Sequence, residues 1–187
     1  MNLLHSTILG EGDPLIILHG FLGMSDNWKT LGIQYANNGY EVHLIDQRNH
    51  GKSFWADEFN YTILAEDLKT YLEHHNLSEV RIIGHSMGGK TAMTFACTYP
   101  EQVTQLLVAD IAPKFYPPHH QYIIDAITAL PLDEITSRNQ ADFFLAEDLH
   151  DWGVRQFLLK NLHWVEKNRL EFRFNLDVLS ERMEEIG

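Results

Sequence analysis

The chain has 187 residues, 44% apolar and 21% charged, with one cysteine and a formal net charge of −12. That length suits one domain with a sizeable core, and the composition is that of a globular protein in water. The acidic balance argues against a nucleic-acid partner, whose phosphates would repel it, and Cys97 alone allows no intrachain disulfide.

The N-terminus "MNLLHSTILGEGDP" has no basic stretch, and His5, Ser6, Gly10, Glu11 and Asp13 interrupt its apolar residues, so it does not read as a signal peptide. No apolar run is long enough to span a bilayer. The expectation is a cytoplasmic protein with no membrane partner.

In chain order, residues 2–9 read as a first strand, and Gly10 to Pro14 turn the chain. "LIILHG" (15–20) is a continuous apolar run, as a strand covered on both faces would be. "NWKTLGIQYANNG" is helical in part and ends in a cap-like Asn38-Gly39. "YEVHLID" is a strand ending at Asp46, and the polar loop "QRNHGKS" follows. Leu64, Leu68, Tyr71 and Leu72 mark one face of a helix over 61–75. "EVRIIG" is a buried strand, and Ala92, Phe95, Ala96 and Tyr99 repeat a helical spacing that Pro100 stops. Cys97 falls in that helix as a small packing residue. "QLLVAD" is a further strand, closing on Asp110. This alternation predicts an α/β fold with a mostly parallel sheet flanked by helices.

After Asp110 the pattern changes. "IAPKFYPPHH" is proline-rich, and "QYIIDAITAL", "NQADFFLAEDL" and "DWGVRQFLLKNL" read as helices with no clear strand between them. "LEFRFNL" alternates weakly. The division expected is a core over 1–112, a helical lid over 113–175 and a return to the core over 176–187. Phe115, Tyr116, Phe143, Phe144 and Trp152 are the aromatics with which such a lid could line an apolar pocket, although aromatics at helical spacing more often serve a core.

The residues that carry chemistry lie in "VRIIGHSMGGKT" (80–91). Ser86 stands between a strand and a helix with Gly84 and Gly88 two residues to either side, where a sharp strand-to-helix turn leaves no room for side chains. Such a turn lifts a hydroxyl above the carboxyl ends of the strands, where open α/β sheets place their ligands. The same stretch formally matches G-x(4)-G-K-T, a phosphate-binding loop with Lys90 and Thr91. That reading explains neither "HGFLG" nor "DQRNHGKS".

"HGFLG" (19–23), "DQRNHGKS" (46–53) and "GHSMGG" (84–89), each after a predicted strand, resemble the α/β-hydrolase superfamily. "DQRNHGKS" together with "VADIAP" (108–113) is similar to the small esterases related to YbfF and to the ABHD-type hydrolases. The resemblance implies an α/β-hydrolase fold with a helical lid and a Ser86 nucleophile. It implies an oxyanion hole made by the backbone amides of Phe21 and Met87, and no cofactor or metal. The implied substrate is a small acyl ester or thioester. It points to Asp110 as the acid that orients an imidazole, against the plainer reading of a loop-capping aspartate.

The histidine that such enzymes carry after their last core strand has no counterpart before Gly187, and about 60 to 70 further residues would complete a typical relative. His85 is expected to diverge from Ser86. His19 and His50 are expected to brace their loops, and His74 and His75 to close an exposed helix. His119 and His120 make a poor metal pair, and His5, His43, His150 and His163 have no catalytic context. The general base is therefore unassigned, and weak activity is expected. The strand ending at Asp110 is expected to be covered by the lid, by a second copy or by further chain. A carboxylate would have to replace Ser86 in a dehalogenase. A carbon–carbon lyase, a cofactor-free haloperoxidase and a non-catalytic binding fragment remain the alternatives.

Overall fold

The computed structural model describes residues 2–118, 120–167 and 169–187. Five strands form one sheet: β1 (Ser6–Leu9), β2 (Asp13–Leu18), β3 (Tyr40–Ile45), β4 (Val80–His85) and β5 (Val103–Ala109), in the order β1-β3-β2-β4-β5. Only β1 is antiparallel to its neighbour. The first strand is shorter than its apolar run, because residues 2–5 do not join the ladder; the His5 amide bonds instead to Ser53 Oγ at 2.8 Å.

Successive side chains of a strand alternate between faces, and both faces of the central strands are covered, which explains the unbroken apolar run of β2. Ile16, Leu18 and Ile82 pack with Leu68, Tyr71, Leu72 and Phe95 of α2 (Tyr61–His74) and α3 (Met87–Thr98). Leu15, Ile17, Leu44 and Ile83 face the other way, with Tyr35 and Ala36 of α1 (Lys29–Ala36) against that layer. Each such buried aliphatic side chain stabilises the fold by about 1.5–3 kcal/mol. Cys97 does not share in this packing: it lies on the exposed side of α3, so the expectation of a packing role is corrected.

The segment after Asp110 forms α4 (Gln121–Thr128), α5 (Arg138–Asp148), α6 (Trp152–Leu159), β6 (Leu162–Glu166), β7 (Arg169–Phe172) and α7 (Leu176–Glu181). Ser137, Asp151 and Asn175 cap α5, α6 and α7 by accepting the amides of Gln140, Val154 and Val178. The β6–β7 hairpin corrects the all-helical expectation. Leu162, Leu170 and Phe172 alternate onto one buried face, and a two-residue period over strands this short is weak as a pattern until the partner strand is seen. The buried side chains of this segment form one cluster with Phe21, Leu22 and Met87, so it is seated on the two loops at the carboxyl ends of β2 and β4.

It does not cover β5. That strand ends the sheet order, carries no charged residue, and leaves Leu106 and Leu107 39% and 51% exposed. The expectation of an edge covered by the lid is thus corrected: the apolar faces of α4 and α6 are spent on the strand ends. Among the described residues no helix is long and apolar enough to cross a membrane.

Candidate active site

Between β4 and α3 the chain turns on one residue. Ser86 has φ 51° and ψ −118°, a conformation that costs a non-glycine residue about 1–3 kcal/mol. Its amide donates to Ala109 O at the end of β5, at 3.0 Å. The flanking glycines are required by contact. A Cβ on Gly84 would sit 2.4 Å from Gly88 O, and one on Gly88 would sit 2.4 Å from Leu18 O and 2.5 Å from His19 O. Met87 opens α3, so its amide is one of the first four, which have no acceptor within a helix.

The phosphate-loop match does not survive this geometry. Lys90 is buried, its Nζ donating to Lys114 O at 2.9 Å and Gly187 O at 2.6 Å between the rings of Tyr61 and Tyr116. Thr91 Oγ1 is engaged with Gln47 and Met87 O. The two side chains that would serve a phosphate and its metal hold the packing together instead.

The "HGFLG" loop is held by two neutral imidazoles. His19 Nε2 accepts the amide of Gln47 at 3.0 Å, and Nδ1 donates to Gly20 O at 2.8 Å. His50 Nε2 accepts the amide of Leu22 at 3.2 Å, and Nδ1 donates to Arg48 O at 2.9 Å. Burial pushes the pKa of both below the usual value, that of His50 to about 3. Both histidines are loop braces, as expected. Gly20 O also accepts the Gly23 amide at 3.0 Å. In a trans peptide the N–H lies opposite the C=O, so the Phe21 amide is turned away from both of these donors.

"DQRNHGKS" supplies the scaffold. The Asp46 carboxylate accepts the amides of Ser25 at 2.6 Å and Lys52 at 3.0 Å and meets His5 Nδ1 at 3.1 Å. Burial alone would raise its pKa, but nearby His19 and the amide bonds outweigh that and lower it. Gly51, at φ 59°, lies where a Cβ would come within 2.2 Å of Asp46 Cγ. Arg48 forms a two-point ion pair with Asp67.

Ser86 opens onto a cavity of about 680 Å³ bounded by Gly20, Phe21, Trp28, Leu31, His85, Asp110, His120, Ile123 and Phe157, with no Lys or Arg among the described residues that line it. A second space of about 30 Å³ lies between Ser86, Met87, Tyr61, Tyr116, His120 and Ile186. Asp110 follows β5 at φ 57°, and its side chain is 88% exposed. Its partner is His85, with Nε2 3.8 Å from Oδ2, beyond hydrogen-bond length. His85 was expected to diverge from Ser86, yet both border the same cavity. The reason is Gly20: a Cβ there would lie 2.9 Å from His85 Nδ1 and 3.3 Å from Ser86 Cβ, so its absence leaves them one shared space.

Of the five aromatics expected to line a pocket, only Tyr116 does. Phe115, Phe143 and Trp152 are more than two-thirds exposed, and Phe144 is 38% exposed. The pocket wall comes instead from Trp28, Leu31, Ile123 and Phe157, which sequence reasoning did not single out because nothing in their own segments distinguishes them. His120, whose ring lies 5.3 Å from that of Phe21, was also missed as a cavity residue. His119 lies outside the described residues. His74 is exposed, but His75 packs on Tyr71 with ring centroids 4.4 Å apart. His43 bonds to Tyr71 and Glu41, and His163 to Glu171 O. Among the described residues no three His, Cys, Asp or Glu side chains are grouped to hold a metal.

Comparison with known proteins agrees with this architecture. The alpha/beta hydrolase fold family matches residues 13–165. The chain is 36% identical over 196 residues to the sn-1-specific diacylglycerol lipase ABHD11 of Danio rerio, covering 100% of this chain and 61% of that protein. It is 34% identical over 170 residues to esterase YbfF of Escherichia coli, covering 90% and 65%. It therefore spans about three-fifths of the length of these curated relatives. The solved structure of a marine microorganism esterase superposes with a TM-score of 0.95 at 39% identity, over 100% of this chain and 74% of that one. With its strand-turn-helix serine and its braced "HGFLG" loop, the chain belongs to the esterase/lipase family of α/β hydrolases.

Proposed function

We propose that the chain carries the nucleophile and oxyanion hole of a serine hydrolase acting on neutral acyl esters or thioesters. The observation that carries this is Ser86 itself: a strained residue at the start of α3, opening on a large cavity with no Lys or Arg among the described residues that line it. In this reading Ser86 Oγ attacks the acyl carbon, the carbonyl oxygen becomes an oxyanion, and the amides of Met87 and Phe21 receive it. The bond to the alcohol or thiol then breaks, and water releases the acyl group from Ser86. The absence of lining Lys or Arg favours an uncharged acyl chain over an acidic one.

Asp110 is the acid of this proposal. The imidazole that would take the Ser86 proton is not His19, His43 or His50, since both ring nitrogens of each are engaged elsewhere. Nor is a relay built through His85, which stands 3.8 Å from Asp110. Slow turnover is the expectation for these 187 residues, in which no general base is assigned, because a site working without one triad member keeps only about 10³ to 10⁴-fold acceleration over water.

The test is reaction with a fluorophosphonate, read by intact mass and peptide mapping, beside turnover of p-nitrophenyl acetate. The expected result is slow, stoichiometric labelling at Ser86 that Ser86→Ala abolishes. Labelling elsewhere, or none after prolonged exposure, would overturn the nucleophile and leave a non-catalytic binding fragment as the better reading.

A further inference from the structure

Asn161 stands between α6 and β6, completely buried, and reaches across the fold to the loop that carries Phe21. Its Nδ2 donates to Leu22 O at 2.9 Å and, more weakly, to Phe157 O at 3.5 Å. Both neighbours are carbonyl oxygens, so the NH₂ end of the side chain must face them. Its own backbone carbonyl accepts the Arg173 amide at 3.0 Å, which ties the residue to the strand end after β7. Leu22 has φ 56°, and its amide is held from the other side by His50 Nε2 at 3.2 Å. One strained residue next to Phe21 is thus gripped through its N–H by the "DQRNHGKS" loop and through its C=O by the segment that covers the cavity.

The grip has a cost. Asn161 Oδ1 is buried with no partner, where an aliphatic side chain would leave no polar atom unsatisfied. What the asparagine supplies that an aliphatic residue would not is the donor to Leu22. We propose that Asn161 is a positioning residue that couples the seating of the α4–α7 segment to the shape of the oxyanion loop. The Phe21 amide, already directed by the bonds to Gly20 O, is then held more firmly while that segment is docked. The catalytic half of this inference rests on the reading of Ser86 and Phe21 given above, whereas the clamp itself does not.

The experiment uses Asn161→Asp in the full chain, with folding checked by circular dichroism. The substitution keeps the shape but presents a carboxylate oxygen to the Leu22 carbonyl; in acid the protonated carboxyl can donate again. Amide hydrogen exchange over residues 20–24 should be at least tenfold faster than in the wild type at about pH 7.5, with β3 and α2 unchanged. Burial raises a carboxyl's pKa, so the ratio to wild type should shrink progressively as the pH falls from about 8.5 towards 5. Fluorophosphonate labelling of Ser86 should slow by about tenfold and recover in step. A purely structural lesion would show no acid rescue. Exchange over 20–24 equal to wild type at every pH up to about 8.5, in Asn161→Asp and in Asn161→Ser alike, would overturn the clamp. Loosened exchange with undiminished labelling would overturn its link to the oxyanion hole. A wild-type chain that does not label at all would sink the Ser86 reading instead, and exchange alone would then decide the clamp. Should the aspartate variant not fold, Asn161→Ser removes the donor's reach without adding charge and is read by the same exchange measurement.

Discussion

His50 Nε2 accepts the amide of Leu22 at 3.2 Å, a bond that only an imidazole with a bare Nε2 can make. Its other nitrogen is committed to Arg48 O. His19 repeats the arrangement, accepting from Gln47 and donating to Gly20 O. The loop beside Ser86 is therefore shaped by two histidines that must stay uncharged.

Stability should consequently depend on pH. Burial holds His50 unprotonated in the folded state down to about pH 3, whereas the free imidazole takes up its proton near 6.5. Between those values the unfolded chain binds more protons, so stability is complete above pH 6.5 and is lost as the pH falls. The loss is about 1.4 kcal/mol per unit for each such group. His19, shifted in the same direction by burial, adds to the slope. Urea unfolding at about pH 7.5, 5.5 and 4.5 should show a loss of about 3 kcal/mol or more. His50→Gln, which can still accept from Leu22, should flatten part of that dependence. A wild-type profile without slope in this window would refute the bracing role.

The elbow glycines make a prediction of sign. Gly to Ala inside a helix ordinarily stabilises by up to about 1 kcal/mol. Gly88→Ala should do the reverse and cost at least about 3 kcal/mol, since its methyl would meet the backbone oxygens of Leu18 and His19 at 2.4 and 2.5 Å. Gly153→Ala in α6, where the nearest atom is the Asp151 side chain at 3.1 Å, should stay within about 1 kcal/mol of wild type. Thermal melts of the two variants check the contrast, and equal effects would contradict the tight seating of α3 on β2.

A third prediction concerns the outer strand. β5 offers seven residues without charge or proline, with Leu107 half exposed, and such edges pair with whatever strand is available. Sedimentation should show concentration-dependent self-association that Leu107→Lys weakens, with the circular dichroism spectrum unchanged. A wild type that sediments as a monomer at every concentration would reject a second copy as the cover of this edge.

Much of this protein is legible in the amino-acid order alone. The central strands announce themselves because burial on both faces demands apolar residues at consecutive positions, as in "LIIL" of β2 and the "II" at the centre of β4. The turn at Ser86 is equally visible, because only glycine fits where Gly84 and Gly88 meet backbone oxygens, and that steric demand acts on residues a few positions apart. Tertiary structure alone decided who surrounds the serine. The cavity joins Trp28, His120 and Phe157 to Ser86 from segments far apart in the chain. It left Phe143 and Trp152 in water, and it seated Asn161 against Leu22 across 139 positions. Local spacing records how a segment folds on itself. Which distant faces meet depends on how the helices after Asp110 pack on the strand ends, and no short pattern carries that information.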